Sequence, residues 1–379
     1  MLRNCIYLFF RLFPIRRNQA LIFSYYGEQY SGSPKYISKV LEQNGDMKVV
    51  WAFTDNSKHK EYHGKAVHYS GIKYYYYLAT SGVIITNYRM TKEFKKRDGQ
   101  KYIQTWHSSL RLKMIEQDAV DTLPEEYIKM AKKDSRQIDV LLAGSRKSRE
   151  IFERAFWYDG VIANTGTPQC DILFENRMKY SIKVKEYFGV PSEANIAMYA
   201  PTFRKNHNTD VYKIDMAGIV ECLEKRFGGE WVLLVRLHPH LINALGFINY
   251  SNVVLQATDY DDVQELLCAT DFLISDYSAI IFDYSITKRP CVLYTPDVEE
   301  YVSNDRKLYF DIKKLPFMSY STQDSLFRGI ADFSIDEYNK RIREFLDDIG
   351  SYEDGHASER ACEILGGKNE YNRLHYRSI

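Results

Sequence analysis

Short apolar runs alternate along this chain with stretches whose apolar positions recur at helical spacing. The runs Ala20 to Ser24, Val49 to Thr54, His68-Tyr69, Val83 to Thr86, Tyr102 to Trp106 and Val140 to Ala143 predict strands. Between and after them, Pro34 to Gln43, Lys73 to Thr80 and Arg146 to Phe156 predict helices. A second alternation follows a polar helix over Arg177 to Phe188. Its predicted strands are Asn195 to Ala200, Trp231 to Leu237, Val253 to Leu255, Phe272 to Ile274 and Cys291 to Tyr294. Its helices are Ile214 to Phe227, Val263 to Ala269 and Ala279 to Ile286, and Asp336 to Gly366 reads as closing helices. Strands that alternate with helices imply parallel sheets covered on both faces. The expected fold is therefore α/β, two Rossmann-like domains facing across a cleft, divided as 1–176 and 177–379. The chain lacks the GxGxxG fingerprint of dinucleotide dehydrogenases.

Composition narrows the partners. A chain of 379 residues with 45% hydrophobic and 27% charged residues suits two ordinary domains. A net charge of +1 gives no basic footprint for nucleic acid. The six cysteines have no paired spacing, which argues against a disulfide framework and a zinc site. His59, His63 and His68 match no metal-ligand spacing. No apolar run is long enough to span a bilayer. The first 17 residues combine Ile6, Leu8, Phe9, Phe10, Leu12 and Phe13 with Arg3, Arg11, Arg16 and Arg17. They read either as a helix packed on its own domain or as a basic-apolar patch for anionic lipid.

Candidate chemistry gathers at predicted strand ends, where α/β proteins build their sites. Trp106-His107-Ser108-Ser109 follows one strand of the first half. Thr202-Phe203-Arg204, Arg236-Leu237-His238-Pro239 and Ser275 to Ser278 follow strands of the second. Asp271 to Tyr294 reads as strand, turn, helix, strand. The start of its helix offers N–H groups to an anion, with Ser278 adding a hydroxyl. Asp283 stands where a carboxylate could accept from ribose hydroxyls, or equally hold its helix against a neighbour. Asp276 and Ser278 also suit plain helix capping. Arg236 and His238 supply cationic donors, so the set points to a phosphate-bearing ligand.

These residues also carry a resemblance. Ser24-Tyr25-Tyr26-Gly27, Ser33-Pro34-Lys35-Tyr36, Gln104-Thr105-Trp106-His107, Gly166-Thr167-Pro168 to Asp171, Tyr199 to Arg204, Arg236 to Pro239 and Ser275 to Asp283 follow one another as in the CDP-glycerol glycerophosphotransferases. The resemblance implies a GT-B-type enzyme with no cofactor and no metal. It would move glycerol phosphate, or another polyol phosphate, from a CDP-alcohol to a hydroxyl of a lipid-linked or capsular polymer. It implies catalytic roles for His107, as base, and for His238. It places the donor on Trp106, Ser108, Thr202, Phe203, Arg204, Arg236, His238, Asp276, Tyr277, Ser278, Ala279 and Asp283. It implies work at the cytoplasmic face of the membrane as a peripheral protein, which favours the lipid reading of the first 17 residues. Two departures stand out. Ser108-Ser109 replaces a glycine-bearing pair, which removes backbone freedom. Pro168-Gln169-Cys170-Asp171 replaces Pro-Arg-Asn-Asp, which removes a bidentate anion contact. A nucleotide-sugar glycosyltransferase and a degenerate nucleotide-binding regulator remain the alternatives on this architecture.

Overall fold

The computed structural model describes residues 2–45, 47–59, 61–205, 208–237, 241, 246, 248–304 and 306–366. Contacts divide the chain into two compact units. The first comprises Met1–Ser109, Ile115–Asp171 and Ser351–Ile379; the second comprises Leu110–Met114 and Ile172–Gly350.

In the first unit, seven strands form one parallel sheet: β1 (Arg16–Phe23), β2 (Lys48–Phe53), β3 (Lys65–His68), β4 (Ser81–Thr86), β5 (Lys101–Gln104), β6 (Val140–Leu142) and β7 (Val161–Ala163). Their order is β3-β2-β1-β4-β5-β6-β7. Ala20 pairs with Val49 on one side of β1, and Leu21 pairs with Ile84 on the other. Both faces are covered, so β4 reads Ser-Gly-Val-Ile-Ile-Thr with no polar alternation and is buried throughout.

The second unit repeats the plan with β8 (Asn195–Ala200), β9 (Trp231–Val235), β10 (Val254–Gln256), β11 (Phe272–Ser275), β12 (Cys291–Tyr294) and β13 (Met318–Tyr320). Their order is β10-β9-β8-β11-β12-β13, again all parallel. Each sheet runs outward from its first strand and then reverses, so β1/β4 and β8/β11 are the two switch points. Ligands bind beyond the carboxyl ends of strands at such points.

The units differ from the expected break after residue 176. The helix Ala357–Leu365 belongs to the first unit, where Ala361 packs in the core with Ile37, Leu41 and Trp51. Asp171 caps that helix by accepting the backbone N–H groups of Ala357 (2.9 Å) and Ser358 (2.7 Å). A carboxylate at a helix N-terminus satisfies open donors and complements the dipole. Leu110–Met114 belongs to the second unit, because Tyr309 N donates to Leu112 O (2.8 Å) and Met114 N to Lys307 O (2.9 Å).

The chain's first helix, Leu2–Phe10, packs on the helix Ile72–Thr80. Tyr7 is buried and donates to Lys95 O (2.7 Å), and Phe10 meets Tyr76 edge-on at 5.4 Å. Leu8, Phe9, Leu12 and Phe13 remain exposed, Leu12 by 81%. No described helix is long and apolar enough to cross a membrane.

Candidate active site

At the first switch point, Asn87 follows β4 directly and is fully buried. Its Oδ1 accepts the backbone N–H of Tyr25, which ties the loop after β1 to the end of β4 (2.9 Å). That loop turns tightly at Gly27 (φ 86). A Cβ there would sit 2.9 Å from Tyr69 Cβ and 3.1 Å from Ala52 O, so only glycine fits. Two residues after β5, Trp106 adopts φ 53, the left-handed region that non-glycine residues avoid. Its backbone N–H donates to Gln104 Oε1 (3.0 Å), and its ring packs edge-on against Phe156. This unusual backbone presents His107.

The His107 ring stacks on Trp106 (centroids 4.5 Å) and on Tyr88 (5.1 Å), and its Nδ1 lies 3.3 Å from Asn87 O. A carbonyl only accepts, so in a hydrogen bond here Nδ1 is the donor. Ser108 and Ser109 are buried behind it.

Beneath Trp106 lies a charged core. Arg89 donates to Glu116 (3.0 Å), Asp134 (3.3 Å) and Ser135 (2.8 Å), and its guanidinium sits 3.7 Å from the Phe156 ring centroid. Burial opposes the Arg89 charge, but Glu116 and Asp134 outweigh it and hold the group protonated. Burial, only partly offset by Arg89, pushes Asp134 up to about 6.

At the second switch point, one carboxylate joins two loops. Asp276, next after β11, accepts the backbone N–H of Thr202 from the loop after β8 (2.8 and 3.0 Å) and that of Tyr277 (2.5 Å). Arg204 donates to Asp276 (2.9 Å) and to Thr202 O (2.6 Å). Its other nitrogens form a fork on Asp297, beyond β12 (2.6 and 3.1 Å). Asp276 and Arg204 are thus buried in internal bonds, and both act on the shape of the loops. Thr202 O also accepts from Tyr212 (2.9 Å); Phe203 is half-buried.

Arg236 follows β9 and donates to Ala257 O (3.0 Å) and Tyr260 O (2.7 Å), which orients its half-buried guanidinium. His238 lies outside the described residues. Ser278 and Ala279 lead into a helix of six residues, Ile280–Ser285, shorter than the expected span; Ser278 Oγ accepts the Ile280 N–H at 3.5 Å. Asp283 is buried, accepts from Gln264 Nε2 (2.8 Å) and lies within the electrostatic reach of Arg111. Burial lowers Arg111 to about 9, and Asp283 acts against that fall.

The loops after β8 and β11 therefore stand at the second switch point, the loop after β5 reaches the first through the contact of His107 with Asn87, and Arg236 follows the neighbouring strand β9. Asn87, Tyr88 and the Arg89 core in the first unit, and Asp297, Tyr301, Gln264 and Arg111 in the second, escaped sequence reading. Asn87 alone had a legible signal, as the first polar side chain after the Val83–Thr86 run.

Two doubly wound parallel sheets in one chain, with polar clusters at both switch points, are the plan of a GT-B-type fold. The chain belongs to the CDP-glycerol:poly(glycerophosphate) glycerophosphotransferase family, whose model matches residues 5–366. It is 30% identical over 367 residues to the teichoic acid poly(glycerol phosphate) polymerase of Bacillus spizizenii, covering 93% of each chain. It is 28% identical over 382 residues to the teichoic acid glycerol-phosphate transferase of Staphylococcus aureus, covering 96% of this chain and 97% of that one. A solved structure of the wall teichoic acid polymerase TagF, from a variant soaked with CDPG, superposes with a TM-score of 0.84 at 28% identity. The match covers 98% of this chain and 95% of the chain in that structure.

Proposed function

We propose that this enzyme transfers glycerol phosphate from CDP-glycerol to a hydroxyl at the end of a teichoic-acid-type polymer and releases CMP. Family membership supports the reaction class. The observation that supports the mechanism is the contact of His107 Nδ1 with Asn87 O, an orientation that suits Nε2 to accept a proton. In the proposed step Nε2 takes the proton of the acceptor hydroxyl. The freed oxygen attacks the phosphorus that bears glycerol. The P–O bond to the bridging oxygen of the pyrophosphate breaks, and CMP leaves with that oxygen. A new phosphodiester remains on the acceptor, so atoms and charge balance. Arg236, Ser278 and His238 are assigned to the donor phosphates, whose charge rises on the leaving side.

The acceptor polymer is assigned to an anionic lipid surface, with the first helix as the contact. Leu8, Phe9, Leu12 and Phe13 face solvent beside Arg3, Arg16 and Arg17, a combination suited to lying in a charged interface. The deciding experiment incubates purified protein and a glycerol-phosphate-primed acceptor with CDP-glycerol, CDP-ribitol and UDP-sugars. CMP release with a phosphodiester product from CDP-glycerol is expected. A glycosidic product from a UDP-sugar refutes the proposal.

A further inference from the structure

The loop after β12 holds a side-chain cluster with no assigned part in this reaction. Asp297 accepts from Arg204 twice, at 2.6 and 3.1 Å, and from the Tyr277 hydroxyl at 3.0 Å. Four residues on, in the helix Val298–Asn304, Tyr301 is buried and stacks on Tyr277 with centroids 3.9 Å apart and planes 16° apart. The Arg204 guanidinium lies 4.8 Å from the Tyr277 ring centroid and 5.0 Å from that of Tyr301. Asp276 and Asp297 together hold Arg204 strongly protonated despite its burial.

We propose that Asp297 and Tyr301 are positioning residues of the donor site: they lock Arg204 and Tyr277, and so fix the two switch-point loops that receive the CDP-alcohol. The argument is one of constraint. The loops after β8 and β11 carry Thr202 and Ser278, residues of the donor set. The Asp276 carboxylate ties them together at the backbone by taking the N–H groups of Thr202 and Tyr277. Asp276 is held in turn by Arg204, and Arg204 is planar, with its fork set by the second carboxylate. Without Asp297 the guanidinium keeps one carboxylate and one carbonyl, and it is free to rotate about that contact. Tyr301 stacks on Tyr277, and the guanidinium lies beside the pair. Rings packed beside charge-assisted bonds exclude water from them, which strengthens them. Pre-set loops bind a ligand without the cost of ordering them. The cluster therefore acts on donor affinity, through residues that need not touch the donor.

This inference rests on the proposed reaction, and two readouts separate their failures. The first is amide hydrogen exchange without substrate, which does not depend on what the enzyme transfers. In Asp297→Ala and Tyr301→Leu, exchange over 202–204 and 276–278 should quicken about tenfold or more, while β8 and β9 keep their protection. The second readout is steady-state CMP release. KM for CDP-glycerol should rise about ten- to a hundredfold for Asp297→Ala and about fivefold for Tyr301→Leu, with kcat within about threefold. Tyr277→Phe removes only the bond to Asp297 and should raise KM less than Asp297→Ala. It and Tyr301→Leu decide the matter if Asp297→Ala does not fold. Unchanged exchange in both loops overturns the proposal, whatever the substrate. So does quickened exchange with an unchanged KM. A wild-type enzyme inert towards CDP-glycerol refutes the proposed reaction alone, and the exchange data then judge the lock.

Discussion

The Nδ1 of His107 lies 3.3 Å from the backbone carbonyl of Asn87, at the point where the first sheet reverses its winding. With Nδ1 donating to that carbonyl, Nε2 is the nitrogen proposed as the base. His107→Ala should lower kcat by about two to four decades with little change in donor affinity. His107→Gln keeps a polar side chain of similar reach but has no basic nitrogen, and it should not rescue turnover. Single-turnover kinetics with separately measured CDP-glycerol binding check both points. A loss of donor binding with kcat kept would move His107 to the phosphates.

Asp134 gives the fold a pH signature. Burial raises its pKa from the usual carboxylate range to about 6. The folded state thus favours the protonated acid more than the unfolded chain does. The resulting stability is fully present below about pH 4 and is lost as pH rises through about 6. Urea unfolding from pH 4 to 7 should show the wild type losing on the order of 1–3 kcal/mol relative to Asp134→Asn over this window. Parallel curves for the two proteins would show that Arg89 holds Asp134 ionised throughout.

Asp283 sits with Gln264 and near the buried Arg111. Asp283→Leu should therefore act on stability. Loss of a counter-charge beside a buried arginine costs about 3–5 kcal/mol, read as a lower urea midpoint. KM for CDP-glycerol in the folded protein should change little. The opposite pattern, normal stability with a large KM, is the outcome expected of a ribose contact.

The first helix is tested on vesicles. Phe9→Glu combined with Leu12→Glu should abolish flotation with vesicles containing anionic lipid and leave the urea midpoint nearly unchanged, since both side chains face solvent. Binding of the wild type should weaken with salt, because each arginine near the surface contributes about 1 kcal/mol by charge. Equal flotation with neutral and anionic vesicles would remove the basic residues from the account.

Much of the fold was legible because buried parallel strands read as continuous apolar runs, as Val83 to Thr86 and Trp231 to Val235 do. The strands β7 and β13, three residues each, escaped. The strand-end loops were legible for the same reason as their strands. What those side chains do was not. Arg204 and Asp283 read as ligand contacts, yet both meet partners far along the chain: Asp297 for one, Gln264 and Arg111 for the other. No local pattern encodes such pairings. The tail looked like a cap of the second half, because its amphipathic face names no partner. The packing of Ala361, the Asp171 cap and the bond from Lys101 Nζ to Ile364 O (2.7 Å) assign it to the first unit.

That return of the tail makes the two units inseparable by a single cut. A stop codon placed just after residue 350 removes none of the second unit, yet it strips a core layer from the sheet that carries His107. A fragment ending near 176 lacks the same helix and exposes the carboxylate of Asp171 that caps it. Splitting this enzyme into working halves would require the segment from Ser351 onward to be supplied in trans or grafted behind Asp171. Lesions in the helix Ala357–Leu365 should register at His107, some 250 residues upstream.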